Sequence, residues 1–311
     1  MVKIGVIGAG HLGRIHIEQL LCIPGIQLIG VYDINQSKAK LLASLFSIPY
    51  FISLYELLEK CDAVDIVSAT SSHFEIAQQA IRASKHLFIE KPMTSTLEEA
   101  ELLVNMCKEG NVKCMIGHTE RFNPALIAVQ QEMPKPLFIE AHRLAKFPTK
   151  NNETNVILDL MIYDIDIVLS IVKSEIKRIS ASGFNVVGDS IDIANVRLEF
   201  SNGCVANLTA SRIAQSDMCK MRIFQKDSYY SVDFLAKQTD FISILKKNMH
   251  HQVMTRDAPD VPVQDAIHIA LTSFRDCILQ NSSPIISVQE GFLTMEVAYK
   301  ILKKINLHGE E

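Results

Sequence analysis

The sequence predicts an α/β protein of two domains. The first is an N-terminal Rossmann-type doubly wound parallel sheet; the second is a C-terminal α/β domain built on an open, mainly antiparallel sheet. Three observations carry this expectation. Over 2–118, short β-branched apolar runs alternate with segments whose apolar residues recur at helical spacing, as in a parallel sheet covered by helices on both faces. Beyond Pro124 the runs lengthen and alternate residue by residue, with turn residues between them. The 311 residues, 48% hydrophobic with 10 prolines and 13 glycines, suffice for two buried cores. The expected domains are 1–120 and 121–311, with the final helix a candidate to pack back on the first domain.

The opening run VKIGVI leads directly into Gly8-Ala9-Gly10-His11-Leu12-Gly13 and then into helical spacing, so it reads as strand, glycine turn and helix. Glycine at 8 permits the tight turn. Glycine at 10 lets a pyrophosphate approach the backbone, and glycine at 13 lets the helix pack closely on the sheet. Phosphates favour the unpaired N–H groups and the positive dipole end of such a helix. A second apolar run, 26–32, ends in Asp33, 20 residues past Gly13, where an acid can bind a ribose 2′-hydroxyl. The candidate dinucleotide contacts are therefore Gly8, Ala9, Gly10, His11, Leu12, Gly13 and Asp33. A carboxylate at 33 would face the 2′-phosphate of NADP, and two like charges about 4 Å apart cost on the order of 4 kcal/mol at an effective dielectric of 20. No arginine follows Asp33. The expected cofactor is NAD rather than NADP, with Lys38 the one residue able to blur the choice.

The alternation continues with helices near 36–47 and 53–60, strands at 50–51 and 63–68, and a helix over 72–83. A strand over 86–90, a helix over 96–109 and a strand over 112–118 complete the domain. Ligands of such sheets gather at the carboxyl ends of the strands, and polar clusters stand there. In Ser68-Ala69-Thr70-Ser71-Ser72-His73, residues Ala69, Thr70, Ser71 and His73 are candidate cofactor contacts, with Ser71 or Ser72 as helix N-cap. In Glu90-Lys91-Pro92, proline stops a buried strand just after a lysine. That placement aims Glu90 and Lys91 at the cofactor, and Lys91 at the reacting group. The stretch 117–124 supplies His118, Arg121 and Asn123, which read either as substrate contacts or as a hinge with ordinary surface charges.

In the second domain a strand over 137–147, carrying Arg143, precedes a polar loop at 148–154 and a helix over 156–172. Strands follow over 176–187, 191–200, 205–213, 218–225 and 229–235, with Asn202-Gly203 and 226–228 as turns. Ala206, Leu208 and Ala210 form the face able to pack on a helix. A sheet with one uncovered face invites a partner subunit, so a homo-oligomer, dimer or tetramer, is expected. The stretch 246–262, with His250-His251, reads as a loop. Helices over 263–280 and 288–305 close the chain, the latter with Phe292, Met295, Ala298, Ile301 and Ile305 at helical spacing.

The helix over 156–172 is apolar except for Asp159, Tyr163, Asp164, Asp166 and Ser170. Acids on a buried helix are costly unless paired, hydrogen-bonded or functional. Asp159, Tyr163 and Asp166 share one face by spacing, and Asp164 projects roughly 100° away. A solvated polar stripe, with Asp159 stabilised near the N-terminal turn, is the plainer alternative.

Composition excludes several classes. The formal charge is −4 and no lysine–arginine cluster occurs, so no nucleic-acid footprint is present. Seven scattered cysteines without CxxC spacing read as reduced thiols in a cytoplasmic protein and give no zinc site. No apolar run reaches the ~20 residues of a membrane span. Met1 opens directly into a core strand, leaving no signal peptide.

Gly8 to Gly13, Glu90-Lys91-Pro92 and DLMIYDID at 159–166, in this order and at these distances, resemble the Gfo/Idh/MocA family over essentially the whole chain. The resemblance implies a Rossmann domain with an oligomerising α/β domain, and oxidation of a sugar-ring hydroxyl by hydride transfer to NAD(P). It implies a catalytic group corresponding to Lys91, Asp159 and Tyr163. His118, Arg121, Asn123, Arg143 and Asp166 are the candidate substrate contacts, Arg121 and Arg143 for a phosphate or uracil, because guanidinium suits bidentate acceptors. DLMI-x-DID, DIANVRLEF at 192–200 and NGCVANLTASR at 202–212 are similar to UDP-N-acetylglucosamine 3-dehydrogenase-like members. Where the family has histidine, this chain has Tyr163. A base needs a pKa near the working pH; histidine, near about 6.5, suits this, and tyrosine, near about 10, does not. Three alternatives follow. Tyr163 is a lysine-activated base, Lys91 relays the proton itself, or the chain is a catalytically weakened NAD- and sugar-nucleotide-binding sensor or scaffold.

Overall fold

The computed structural model describes all residues except 133–134, 147–153, 188–189, 248–249, 258–264 and 309–311, and for 244–247, 250–257 and 307–308 the backbone alone. The chain forms two compact units: Met1–Thr119 with Asp265–Leu293, and Glu120–Gln264 with Thr294–Glu311.

The first unit alternates strand and helix: β1 (Val2–Ile7), α1 (His11–Cys22), β2 (Ile26–Tyr32), α2 (Gln36–Phe46), β3 (Tyr50–Phe51) and α3 (Leu54–Lys60). It continues with β4 (Ala63–Ile66), α4 (Thr70–Arg82), β5 (His86–Glu90), α5 (Leu97–Glu109) and β6 (Cys114–Gly117). All the strands pair in parallel, in the order β3-β2-β1-β4-β5-β6. The order reverses between β1 and β4, so the loops leaving these strands lie side by side at the switch point. Strands β4 and β6 are buried throughout; β6 reads as an unbroken apolar run, and β4 as one interrupted by Asp65. The starts of α2 and α5 carry the expected caps: Asn35 accepts from the Lys38 amide, and Thr96 with Glu99 forms a capping box. Helices α1, α3 and α4 start without a side-chain cap bond. Helix α4 begins at Thr70 after an Ala69 N-cap, so neither Ser71 nor Ser72 is the cap. The Ser72 hydroxyl instead bonds the Ala69 carbonyl at 2.8 Å.

The second unit opens with α6 (Pro124–Gln131), capped by Asn123, and β7 (Phe138–Lys146). A wide π-type turn, Ile157–Met161, then runs into α7 (Ile162–Val172). Strands β8 (Ile176–Phe184), β9 (Ile193–Phe200), β10 (Val205–Ala214), β11 (Met218–Gln225), β12 (Ser228–Asp233), β13 (Gln238–Lys247) and β14 (His250–Asp257) follow. The sheet order is β14-β13-β12-β11-β7-β10-β9-β8, antiparallel except for the β7–β10 pair. Strand β8 stops at Phe184 because the Asp192 carboxylate takes the Val186 and Val187 amides, at 2.9 and 2.8 Å, away from any ladder.

The hairpin β13–β14 corrects the loop expected over 246–262 at 246–247 and 250–257, while 248–249 and 258–262 lie outside the described residues. Its register, Asp240 opposite Asp257 through Lys247 opposite His250, is held by backbone pairing at a sheet edge, where an alternating apolar pattern is not required. Helix α6 was also not foreseen; it is a short apolar segment directly after Pro124. Helix α8 (Ala266–Leu279) belongs to the first unit and packs on α1, β1 and β5. Helix α9 (Val288–His308) contributes Val288 to Leu293 to the first unit and the remainder to the second. The second core gathers Ala206, Leu208 and Ala210 of β10 with Ile165 and Val168 of α7 and Ala298, Ile301 and Ile305 of α9.

Candidate functional site

In the first unit the glycine turn has the geometry of an anion cradle. Gly8 has φ +119°, and a Cβ there would lie 2.7 Å from the Val67 carbonyl; only glycine fits. At Gly13 a Cβ would stand 2.0 Å from the Gly8 carbonyl oxygen, so α1 can close on the turn only without one. Gly10 is the opposite case. Nothing lies within 4 Å of its Cβ position, and as N-cap of α1 it makes no side-chain cap bond. The open side of the turn and the first amides of α1 thus fit a pyrophosphate. His11 and Leu12 are exposed in the first turn of the helix.

Asp33, after β2, accepts the Ala9 amide on Oδ2 and the Asn35 amide on Oδ1, both at 2.7 Å. Its carboxylate therefore ties the glycine turn to the end of β2. After β4, Ala69 and Ser71 are exposed, Thr70 is half-buried and His73 is buried. The His73 ring lies 3.0 Å from the Ser68 carbonyl on one side and 3.0 Å from the Pro92 carbonyl on the other. Burial pushes this ring below its usual pKa, and a neutral ring donates to one of them at a time. His73 so links the β4 loop to the segment after Lys91.

Glu90, at the end of β5, is 5% exposed. Its Oε2 accepts the amide of half-buried Lys91 at 3.2 Å, and its Oε1 stands 3.4 Å from Nε2 of His16 on α1. His16 Nδ1 is 2.8 Å from Asp65 of β4, and both side chains are fully buried. Burial alone would lower the His16 pKa. The charge and hydrogen bond of Asp65, then Glu90, reverse this and push it up to about 10, which favours a proton on the ring between the two carboxylates. Burial also lifts the Asp65 carboxyl. His118, just past β6, is buried.

The second unit pairs the acids of its first long helix. Arg121 grips Asp166 with Nε and Nη2 at 2.7 and 2.8 Å, and the Thr294 hydroxyl reaches the same carboxylate at 3.4 Å. Arg143 grips Asp164 with Nε and Nη2 at 3.1 and 2.9 Å and touches Glu120 with Nη1 at 3.3 Å. Burial would lower the Arg143 pKa, but Asp164 and then Glu120 raise it. The guanidinium also lies over two rings, 5.0 Å from the centroid of Tyr163 and 5.5 Å from that of Phe234. Asn123 accepts the Ala125 amide and donates to Glu120 and to the Phe234 carbonyl, each at 3.1 Å. Asp159 sits in the π-type turn, half-buried, and Tyr163 one turn further, also half-buried.

The structure thus brings Arg121 to Asp166 and Arg143 to Tyr163, and it gathers the glycine turn, Asp33, His73 and Glu90 in one unit. It also replaces the solvated stripe for Asp164 and Asp166 with buried pairs, 3% and 1% exposed. Reasoning from sequence missed His16, Asp65 and Glu120. The signal was present: His16 falls on the buried face of α1 and Asp65 inside an apolar strand, the same anomaly that singled out the acids of 156–172.

The Gfo/Idh/MocA oxidoreductase family with an NAD-binding Rossmann fold matches residues 2–118, and the Gfo/Idh/MocA C-terminal domain matches 127–228. UDP-N-acetylglucosamine 3-dehydrogenase of Acidithiobacillus ferrooxidans is 41% identical over 235 residues, 75% of this chain and 74% of that protein. The scyllo-inositol 2-dehydrogenase (NAD(+)) of Bacillus subtilis is 27% identical over 322 residues, 95% of this chain and 92% of its own. A solved structure of the Acidithiobacillus enzyme superposes with a TM-score of 0.92 at 34% identity, covering 98% of this chain and 97% of that one.

Proposed function

The chain belongs to the Gfo/Idh/MocA oxidoreductase family, and from that premise we propose an NAD-dependent dehydrogenase that oxidises a sugar-ring hydroxyl to a ketone. The proposed substrate is a nucleotide sugar resembling UDP-N-acetylglucosamine. The observation that carries this reading is the 41% identity to UDP-N-acetylglucosamine 3-dehydrogenase, joined to a glycine turn that is closed at Gly8 and Gly13 and open at Gly10.

The amides of Gly10 to Gly13 would hold the pyrophosphate and Asp33 the ribose, with Ala69, Thr70, Ser71, His73 and Glu90 lining the remainder. A bound nicotinamide supplies the hydride acceptor. Lys91 polarises the hydroxyl, Asp159 holds the sugar, and Tyr163 takes the hydroxyl proton as the carbonyl forms. Arg121 and Arg143 have their bidentate faces on Asp166 and Asp164, so their part is to fix the helix presenting Asp159 and Tyr163. Asn123 fixes the start of α6 in the same way, and His118 remains a candidate substrate contact. NAD is favoured over NADP by the Asp33 carboxylate, through the like-charge repulsion of about 4 kcal/mol set out above.

A second reading, an NAD- and sugar-nucleotide-binding sensor, is favoured by one observation. Tyr163 stands where the family's base is a histidine, and the carboxylates of Asp164 and Glu120 that hold Arg143 oppose a phenolate. The proposal includes a homo-oligomer formed through the open face of the second unit's sheet. There Asn195 bonds Thr209 at 2.9 Å and Arg197 bonds Asn207 at 3.3 Å across strands. Among the described residues no helix is long and apolar enough to cross a membrane. A cytoplasmic location is proposed from the seven free cysteines. Incubation with NAD and a panel of UDP-sugars tests the reading: reduced nicotinamide should accumulate and Lys91→Ala should abolish it. A wild-type blank across the panel, with NAD demonstrably bound, contradicts it.

A further inference from the structure

The first unit buries three ionisable side chains in contact: His16 and Asp65 at 0% exposure and Glu90 at 5%. Such a cluster is a poor device for stability alone, because apolar residues of similar volume serve as well or better, while loss of one partner leaves an uncompensated charge. Its geometry points along the chain instead. Imidazolium carries two N–H groups on opposite sides of a flat ring. Here one side meets Asp65 at 2.8 Å and the other meets Oε1 of Glu90 at 3.4 Å. The second oxygen of Glu90 accepts the Lys91 amide at 3.2 Å. The carboxylate also rests against Gly117, where a Cβ would lie 2.6 Å from Oε1. The carboxylate is therefore confined by His16, by Gly117 and by the backbone of the residue it precedes. His16 itself rides on α1, the helix whose first amides form the anion cradle.

We propose that His16 and Asp65 are positioning residues that act on Lys91 through Glu90, fixing the backbone from which the lysine is presented and tying it to the cofactor helix. The catalytic part of this proposal rests on the dehydrogenase reading; the positioning part does not. The residues that face His16 from neighbouring strands are Asp65 of β4 and Glu90 of β5, with the Phe88 ring edge-on at 5.8 Å.

The test uses the full-length protein with its lysines reductively 13C-methylated, the Lys91 resonance being assigned by Lys91→Arg. His16→Gln and Glu90→Gln should each move that resonance and its titration midpoint, and the double variant should match Glu90→Gln alone. In turnover, each single variant should lower kcat by about tenfold or more with KM for the sugar little changed, and the double variant should be no worse than the worse single. A folded His16→Gln protein with the Lys91 resonance unmoved and kcat within about twofold of wild type overturns the proposal, being well short of a positioning loss. Multiplying losses in the double variant overturn it also. If His16→Gln does not fold, Gly117→Ala decides, since it presses on the Glu90 carboxylate while leaving His16 and Asp65 intact. An unmoved Lys91 resonance there overturns the proposal too. If the wild type oxidises no sugar, the functional reading fails while the resonance still decides the positioning.

Discussion

Arg143 lies over Tyr163, with its guanidinium carbon 5.0 Å from the ring centroid, and the same guanidinium is gripped by Asp164 through two nitrogens. The cation favours a phenolate and the carboxylate opposes it. A tyrosine base would be held in place by this stack, and the ordinary pKa of a tyrosine, about 10, lies above that of a histidine, about 6.5. The kcat/KM of the wild type in the oxidation direction should therefore rise with pH across an alkaline limb. In Tyr163→His that limb should shift down by about 3.5 pH units, following the ordinary values of the two side chains. Tyr163→Phe should lose about 100-fold or more in kcat, the usual contribution of a general base. An unmoved limb in Tyr163→His removes Tyr163 from proton transfer.

The glycine turn separates folding from binding. Gly13→Ala places a methyl 2.0 Å from the Gly8 carbonyl oxygen and should disturb the junction of α1 and β1, lowering the melting temperature. Gly10→Ala meets no protein atom within 4 Å, so it should melt like the wild type. It should still weaken NAD binding by about tenfold or more, or about 1.4 kcal/mol, as calorimetric titration would show. Equal affinity in Gly10→Ala would place the pyrophosphate elsewhere.

The His16 cluster makes stability fall toward alkaline pH. Its pKa of about 10 in the folded protein lies above the ordinary value of about 6.5. Its contribution is therefore fully present below about pH 6.5 and is lost as pH rises through about 10. Urea unfolding of the wild type should lose on the order of a few kcal/mol between about pH 7 and 10 relative to His16→Gln, which has no proton to release there. Parallel curves for the two proteins would mean that the ring is neutral when folded.

The buried pair of Arg121 and Asp166, 8% and 1% exposed, predicts an asymmetry. Asp166→Ala should cost about 3 to 5 kcal/mol by removing the carboxylate that the buried guanidinium grips, whereas Arg121→Met combined with Asp166→Leu should recover most of it. Chemical denaturation of the two variants measures this. Equal losses in both would show that the pair has value beyond its mutual compensation.

Much of the fold was legible because burial writes itself into sequence. Strands β1, β4, β5 and β6 are enclosed along most or all of their length and read as largely apolar runs, and the glycine turn reads through its steric demands at Gly8 and Gly13. The β13–β14 hairpin was not legible, since an edge ladder needs only backbone groups. At the site, Lys91, Asp159 and Tyr163 could be singled out, but the partners of Arg121 and Arg143 could not. Their carboxylates lie 45 and 21 residues away in sequence, respectively, and one chain does not say which acid a guanidinium will find. The anomaly of polar residues at core positions was read for the acids of 156–172. The same reading applied to His16 and Asp65 would have exposed the cluster behind Glu90.

The measurement that tests the account most directly is mass analysis of UDP-N-acetylglucosamine after incubation with the wild-type protein and NAD. The account predicts a nucleotide sugar short of two hydrogens, formed in equal amount with reduced nicotinamide and absent with Lys91→Ala. Unchanged UDP-sugars across the panel, from a protein that binds NAD, would contradict it.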